Sequence, residues 1–177
     1  RDATTNKETI HFGLELNEGK KTIALNRVSD MYFETPTSIS KGDKFKVEFT
    51  NNIVCYTYIF GEEVDGSSYV LFPYTKHHSP YCGITGTRLF PRDYSMEPDD
   101  KGAIDKIAVL ITKRPIDYDV VNQKISSSDG SSYEAKLQNA LKGDLESNVS
   151  FSGSSIVNFK TSTATDKSVA FVIGIKK

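Results

Sequence analysis

The residues best able to do chemistry in this 177-residue chain are concentrated in one segment, residues 71–83 (LFPYTKHHSPYCG). It holds His77 and His78, two of the three histidines, and Cys82, one of the two cysteines. Cysteine beside histidine could form a nucleophile and its base, and the same side chains could bind a soft metal. The sequence shows no additional catalytic or metal-binding residue at a spacing typical of either site. His77 and His78 are adjacent, so in an extended segment their side chains would point to opposite sides, which argues against both arrangements.

The interpretation we favour is an ordered aromatic loop that contacts a ligand, because loops on a rigid scaffold commonly carry binding sites. Stacking and charge-assisted contacts would come from the tyrosines and the arginine near this segment. The predicted binding residues are Tyr74, His77, His78, Tyr81 and Arg88. No catalytic residue, metal or cofactor is predicted.

Two alternatives make different structural predictions. A cysteine-dependent hydrolase using Cys82 with His77 or His78 requires the sulfur within hydrogen-bond reach of an imidazole, in an open cleft. A purely structural domain predicts that no concave aromatic pocket lies near Tyr74 and Tyr81.

The two cysteines, Cys55 and Cys82, are too few for a disulfide scaffold and lack the close spacing of a zinc site. They could form a disulfide with each other, and closing a loop of this length would raise the free energy of unfolding by about 3–4 kcal/mol. Cys55 lies within an apolar run, where it could equally be a small buried hydrophobic residue. The sequence is compatible with both a disulfide and two free thiols.

Other short motifs are missing or weak. The acidic cluster Asp93, Glu97, Asp99 and Asp100 lacks the regular oxygen spacing of a calcium loop, and a solvated turn is the favoured interpretation. Phosphate-binding, dinucleotide-binding, zinc-protease and serine-hydrolase motifs do not occur.

Composition narrows the class of protein. With 22 Lys and Arg against 23 Asp and Glu, the net charge of −1 argues against a nucleic-acid surface as the main function. The longest aliphatic run, residues 107–111, is far shorter than the ~20 residues of a membrane helix. The chain starts without Met or an apolar targeting segment, so we expect a processed product whose signal peptide has been removed.

The elements that must position the loop are mostly strands. Apolar residues alternate at 10–16 and 45–50, whereas residues 53–60 and 104–112 are apolar on both faces and predict central strands. Asn51-Asn52 predicts a two-residue hairpin between 45–50 and 53–60, with 69–72 as the third strand of a meander.

Two helices are predicted late in the chain. Asp117 is a good N-cap for the first, and Ser131 with Glu134 forms a capping box for the second. About nine strands with two late helices predict a mainly β fold, a β-sandwich (Ig-like or related) with a late αα insertion. We expect one β-rich domain over residues 9–177, preceded by a loose tail at 1–8.

Several strand and turn signatures resemble a known family. They are Lys41-Gly42-Asp43, the run VCYTYIF at 54–60, Asp65-Gly66 and Leu71-Phe72-Pro73. Together they resemble an uncharacterised bacterial family, a domain of unknown function found in Bacteroides-type exported proteins and sometimes appended to caspase-like peptidases. The match covers roughly residues 41–125.

The resemblance implies an exported, non-catalytic module and carries over no catalytic residue. The expected setting is periplasmic, outer-membrane-associated or extracellular. The expected function is binding or assembly within the bacterial cell envelope or a secreted protein. Its partner would be another envelope protein or a small ligand, and not nucleic acid.

Overall fold

The computed structural model describes residues 7–16, 21–40, 42–51, 54–83, 87–90, 95–146, 149–152, 157–162 and 167–177. Within these ranges lie thirteen strands and two helices. The strands are β1 (Lys7–Leu16), β2 (Lys21–Ile23), β3 (Asn26–Ser29), β4 (Tyr32–Glu34), β5 (Phe45–Asn51), β6 (Cys55–Glu62), β7 (Ser68–Phe72), β8 (Tyr81–Cys82), β9 (Thr87–Phe90), β10 (Ile104–Thr112), β11 (Ser150–Ser152), β12 (Val157–Ser162) and β13 (Val169–Lys176). The helices are α1 (Tyr118–Ser127) and α2 (Tyr133–Ala140).

The strands form two sheets. The first has the order β11-β12-β1-β5-β9, with β2 also paired to β1. The second has the order β3-β4-β13-β10-β6-β7, with β8 also paired to β6. Pairing is antiparallel except between β4 and β13, which run parallel. The predicted mainly β, sandwich-like fold is confirmed.

Apolar side chains from both sheets meet in a shared core. Alternate residues of β5, namely Phe45, Val47 and Phe49, are buried while the residues between them are partly exposed. They cluster with Val109 of β10 and Phe171 of β13 in the second sheet. The period-2 pattern of β5 therefore marks a strand with one face in the core and one face toward solvent.

The second sheet is covered on its other face by the helices. Tyr58 of β6 and Leu110 of β10 belong to a second buried cluster, which also contains Ile125 of α1 and Leu137 of α2. The order of layers is therefore sheet, sheet, helices. This explains why β6 and β10 are apolar on both faces, as the sequence predicted for central strands.

The predicted hairpin between β5 and β6 is wrong. The two strands lie in different sheets, and only the β6–β7 pairing of the predicted meander is found. The physical reason is burial, because β5 has one wet face and suits the outer sheet, whereas β6 is covered on both faces and suits the middle one. Asn51 is the last residue of β5, and its side chain is buried.

The predicted cap of α2 is displaced by one residue. Ser132, not Ser131, is the N-cap, and its hydroxyl accepts a hydrogen bond from the Ala135 amide at 3.1 Å. Glu134 forms an ion pair with Lys106 of β10 at 3.0 Å instead of closing a capping box. The cap of α1 is as predicted, since the Asp117 carboxylate accepts from the Val120 amide at 3.2 Å.

One further boundary and two further strands differ from expectation. Strand β1 begins at Lys7, inside the segment 1–8 that the sequence suggested as a tail; residues 1–6 lie outside the described part. The short strands β3 and β8 were not predicted. In the described part of the chain, neither helix has the length and apolar character needed to cross a membrane.

Packing of α2 on the second sheet can be tested by truncating its buried leucine. We expect Leu137→Ala to lower the free energy of unfolding by about 2–4 kcal/mol, because Leu137 is fully buried and its removal leaves a cavity. Urea unfolding followed by circular dichroism measures the loss. Val120→Ala in α1 is the control, since Val120 is 46% exposed and should change stability by less than about 0.5 kcal/mol. Equal effects would contradict the layer order.

Candidate functional site

The connection between β7 and β8 forms a short folded loop, residues 73–80, which we call the histidine loop. Thr75 organises it: the Thr75 carbonyl accepts from the His78 amide at 3.1 Å, and the Thr75 hydroxyl accepts from the His77 amide at 3.2 Å. The same hydroxyl lies 2.5 Å from Nδ1 of His78. Hydrogen bonds local to the loop therefore set the orientation of the His78 ring.

The histidine loop contacts the rest of the protein at its start, its middle and its end. At its start, the Phe72 and Tyr74 rings pack with centroids 6.1 Å apart. At its end, the Pro80 carbonyl accepts from the Thr57 amide of β6 at 2.9 Å. In its middle, Lys76 pairs with Asp119 of α1 at 2.6 Å, although both side chains are largely exposed and such pairs contribute little stability.

A concave pocket of about 490 Å³ lies between the histidine loop and β9. Its aromatic side chains contact one another: the Phe72 and Phe90 rings are 4.6 Å apart, and the Tyr74 and His78 rings are 3.8 Å apart. We call it the loop pocket. The described residues that line it are Phe72, Tyr74, His77, His78, Ser79, Tyr81, Arg88, Leu89 and Phe90.

All five residues predicted for binding line the loop pocket. The residues predicted from sequence do not include Leu89 and Phe90 of β9, nor Phe72 and Ser79. The apolar ends of β7 and β9, each followed by proline, were the available signal. An aromatic pocket near Tyr74 and Tyr81 is the feature that a purely structural domain was expected to lack.

Arg88 points partly into the protein. Its guanidinium donates to Oδ1 of Asn51 at 2.8 Å and to the Gly83 carbonyl. Asn51 in turn donates from Nδ2 to the Cys82 carbonyl at 3.3 Å. Because Asn51 belongs to the first sheet and Cys82 to the second, these bonds link the two sheets beneath the pocket. The guanidinium thus holds the pocket wall, and its predicted contact with a ligand stays a prediction.

Both cysteines are free thiols inside the sandwich. The Cys82 sulfur lies 3.6 Å from the Thr57 hydroxyl and 3.6 Å from the Pro80 carbonyl, and it is within hydrogen-bond reach of the Cys55 thiol. The Cys82 contacts in the described residues include no imidazole. Since Cys82 is also buried, the open cysteine–histidine cleft that the hydrolase alternative requires is not the arrangement seen.

The acidic cluster lies elsewhere, beside a second concavity of about 530 Å³ that includes Glu97 and Asp99. The Asp99 carboxylate accepts a hydrogen bond from Lys177, which lowers the pKa of Asp99. Asp93 lies outside the described residues. Within the described ranges, no group of three or more His, Cys, Asp or Glu side chains could hold a metal ion.

The fold and pocket define a β-sandwich with a helical third layer and a recessed aromatic surface at one edge. In a comparison with protein families, residues 38–115 match the family described as a domain of unknown function, DUF4384. This confirms the predicted resemblance to an uncharacterised domain family, and the match names no catalytic family. It spans β5 to β10 and therefore includes the loop pocket.

No curated protein and no solved structure matches the chain significantly.

The link between the sheets beneath the pocket can be tested at Asn51. We expect Asn51→Ala to lower the free energy of unfolding by about 2–3 kcal/mol, because it leaves the Arg88 guanidinium and the Cys82 carbonyl without this buried partner. Thermal and urea unfolding measure the change. Asn139→Ala is the control, because Asn139 is exposed and its side chain donates to the Asp129 carbonyl at the surface, so its loss should cost less than about 1 kcal/mol. A similar small cost at Asn51 would contradict a linking role.

Proposed function

We propose that the chain is a non-catalytic binding or assembly module of a bacterial cell-envelope or secreted protein, and that the loop pocket is its contact site. The single observation that carries the proposal is the pocket itself. Five residues chosen from sequence alone, separated by up to fourteen positions, line one concavity of about 490 Å³. Its volume is within the roughly 300–1,000 Å³ typical of ligand sites.

The lining favours an apolar or aromatic group of the partner. Four of the side chains, Phe72, Tyr74, Tyr81 and Phe90, are aromatic, and Leu89 adds an exposed aliphatic surface. Carboxylates are absent from the described residues that line the pocket. Tyrosine combines a large apolar contact area with a hydroxyl and few rotatable bonds, which makes it an effective contact residue.

The pocket is also organised before a partner arrives. The Thr75 hydrogen bonds fix the histidine loop, and the Pro80 and Arg88 contacts fix the two walls. Ordering a wall during binding costs free energy, so walls that are already held lower the cost of association. Tyr81 remains 52% exposed and rests edge-on against Tyr56 at 5.7 Å, which leaves its outer face available for stacking.

The compartment rests on the family resemblance. That resemblance implies an envelope or secreted protein, and we extend this setting to the chain as part of the proposal. Fractionation of the source bacterium with an antibody against the chain tests this part. We expect it in periplasmic, outer-membrane or medium fractions, and confinement to the cytosolic fraction would contradict the proposed setting.

Binding is tested with N-acetyl-phenylalanine amide, the smallest probe that presents an aromatic side chain between two peptide groups. We expect saturable chemical-shift changes at Tyr74 and Tyr81 in nuclear magnetic resonance titrations, with millimolar affinity. N-acetyl-glycine amide should cause none. Tyr81→Ala should weaken binding at least about tenfold, because an aromatic contact contributes on the order of 1 kcal/mol beyond its buried area.

Tyr69→Ala is the matched control. Tyr69 is another partly exposed tyrosine, but it lies on β7 outside the loop pocket, so its loss should leave the titration unchanged. Equal shifts with both probes, or binding that survives Tyr81→Ala, would contradict an aromatic site in the loop pocket.

A further inference from the structure

The two cysteines lie directly opposite each other on neighbouring strands. Cys55 of β6 and Cys82 of β8 are register partners in an antiparallel pair. Residues in such positions have Cα atoms about 4.5–5.5 Å apart, which falls within the roughly 4.4–6.8 Å spanned by disulfides. Both side chains point into the same core, and their thiols are within hydrogen-bond reach of each other.

The surroundings of the two sulfurs are more polar than a hydrophobic core requires. The Cys82 sulfur contacts the Thr57 hydroxyl at 3.6 Å, and Nδ2 of Asn51 lies 3.8 Å from the Cys55 sulfur. The hydrogen bond with Cys55 lowers the pKa of the Cys82 thiol, and Arg88 acts in the same direction. Because the thiolate is the attacking form in disulfide exchange, Cys82 is the residue prepared to react first.

We propose that Cys55 and Cys82 form a reversible cross-strand disulfide by exchange with an oxidised disulfide donor, either a small molecule or a thiol–disulfide oxidoreductase. The Cys82 thiolate attacks one donor sulfur and releases one donor thiol, leaving a mixed disulfide. The Cys55 thiolate then attacks the Cys82 sulfur and releases the second donor thiol. The two cysteines lose two electrons and two protons, and the donor is reduced to two thiols.

Access to the sulfurs comes through β8. This strand has two residues, and its only strand partner in the described part of the chain is β6. Displacement of so short an edge strand exposes Cys82 without opening the rest of the sheet. Exchange with the donor therefore takes place while β8 is displaced from β6, and closure of the disulfide fixes β8 on β6 again.

The disulfide would also affect the loop pocket. Tyr81, a pocket residue, directly precedes Cys82, and Arg88 bonds to the carbonyl of the next residue, Gly83. Fixing β8 on β6 would therefore fix one wall of the pocket. Formation of the disulfide itself depends on the strand register alone and does not require the proposed binding function.

The test uses the full chain, reduced and then equilibrated with oxidised glutathione. Acid quenching, denaturation and maleimide labelling are followed by mass spectrometry. We expect that neither cysteine is labelled by maleimide, that the protein carries no glutathione adduct, and that a digest contains one cross-linked peptide pair with Cys55 and Cys82. Thermal unfolding should shift upward by about 5–10 °C and return after reduction.

Cys55→Ser and Cys82→Ser are the control variants, and neither should show the thermal shift under the same treatment. The decisive comparison uses the unaltered chain before and after oxidation, so it does not depend on either variant folding. Two labelled thiols, or separate glutathione adducts on both cysteines of folded protein, would overturn the proposal. Phenylalanine-probe binding by the reduced chain would be unaffected by that outcome, which separates this proposal from the proposed function.

Discussion

Burial of the second sheet on both faces is the constraint on which the rest of the structure depends. Its inner face packs against the first sheet through residues such as Val109 and Phe171, and its outer face packs against α1 and α2 through Leu110 and Val172. A strand in this position must be apolar at successive residues, because its side chains point alternately to the two faces of the sheet and both faces are covered. That requirement separates β6 and β10 from β5 of the first sheet, which has one face toward solvent.

The loop pocket follows from how this middle sheet ends. Strand β6 pairs with β10 along one side, while its other side is shared by β7 and β8. Pro73 ends β7 because it cannot donate a ladder hydrogen bond, and pairing with β6 resumes at Pro80 and Tyr81. The intervening residues leave the sheet as the histidine loop. Because β9 closes the same edge of the first sheet, the loop and β9 enclose a recess between them.

Much of this arrangement could be predicted from local sequence. Alternation identified β5, continuous apolar runs identified β6 and β10, and Asp117 identified the start of α1. The pairing of strands could not be predicted in the same way, and the expected β5–β6 hairpin is wrong. Asn51 is typical of a turn by residue type, yet here its amide bonds to Arg88 and to the Cys82 carbonyl, contacts that only the folded sandwich creates. Likewise, Ser132 rather than Ser131 caps α2, and Glu134 pairs with Lys106 of β10, a contact that the local sequence does not indicate.

The residues predicted for binding line one pocket because they are close together in the chain, whereas the lining residues of β9 depend on strand pairing. Residues near each other in a loop stay near each other in space, so Tyr74, His78 and Tyr81 could be grouped from sequence. The far wall depends on β9, whose position is set by pairing with β5 rather than by chain proximity. In strand β8 the two adjacent side chains point to opposite sides: Tyr81 points outward to the pocket, and Cys82 points inward to Cys55. A two-residue strand thus places the pocket wall and the thiol pair on opposite faces of the same backbone. Any contact that fixes the position of Cys82 therefore also fixes the position of Tyr81 in the pocket wall.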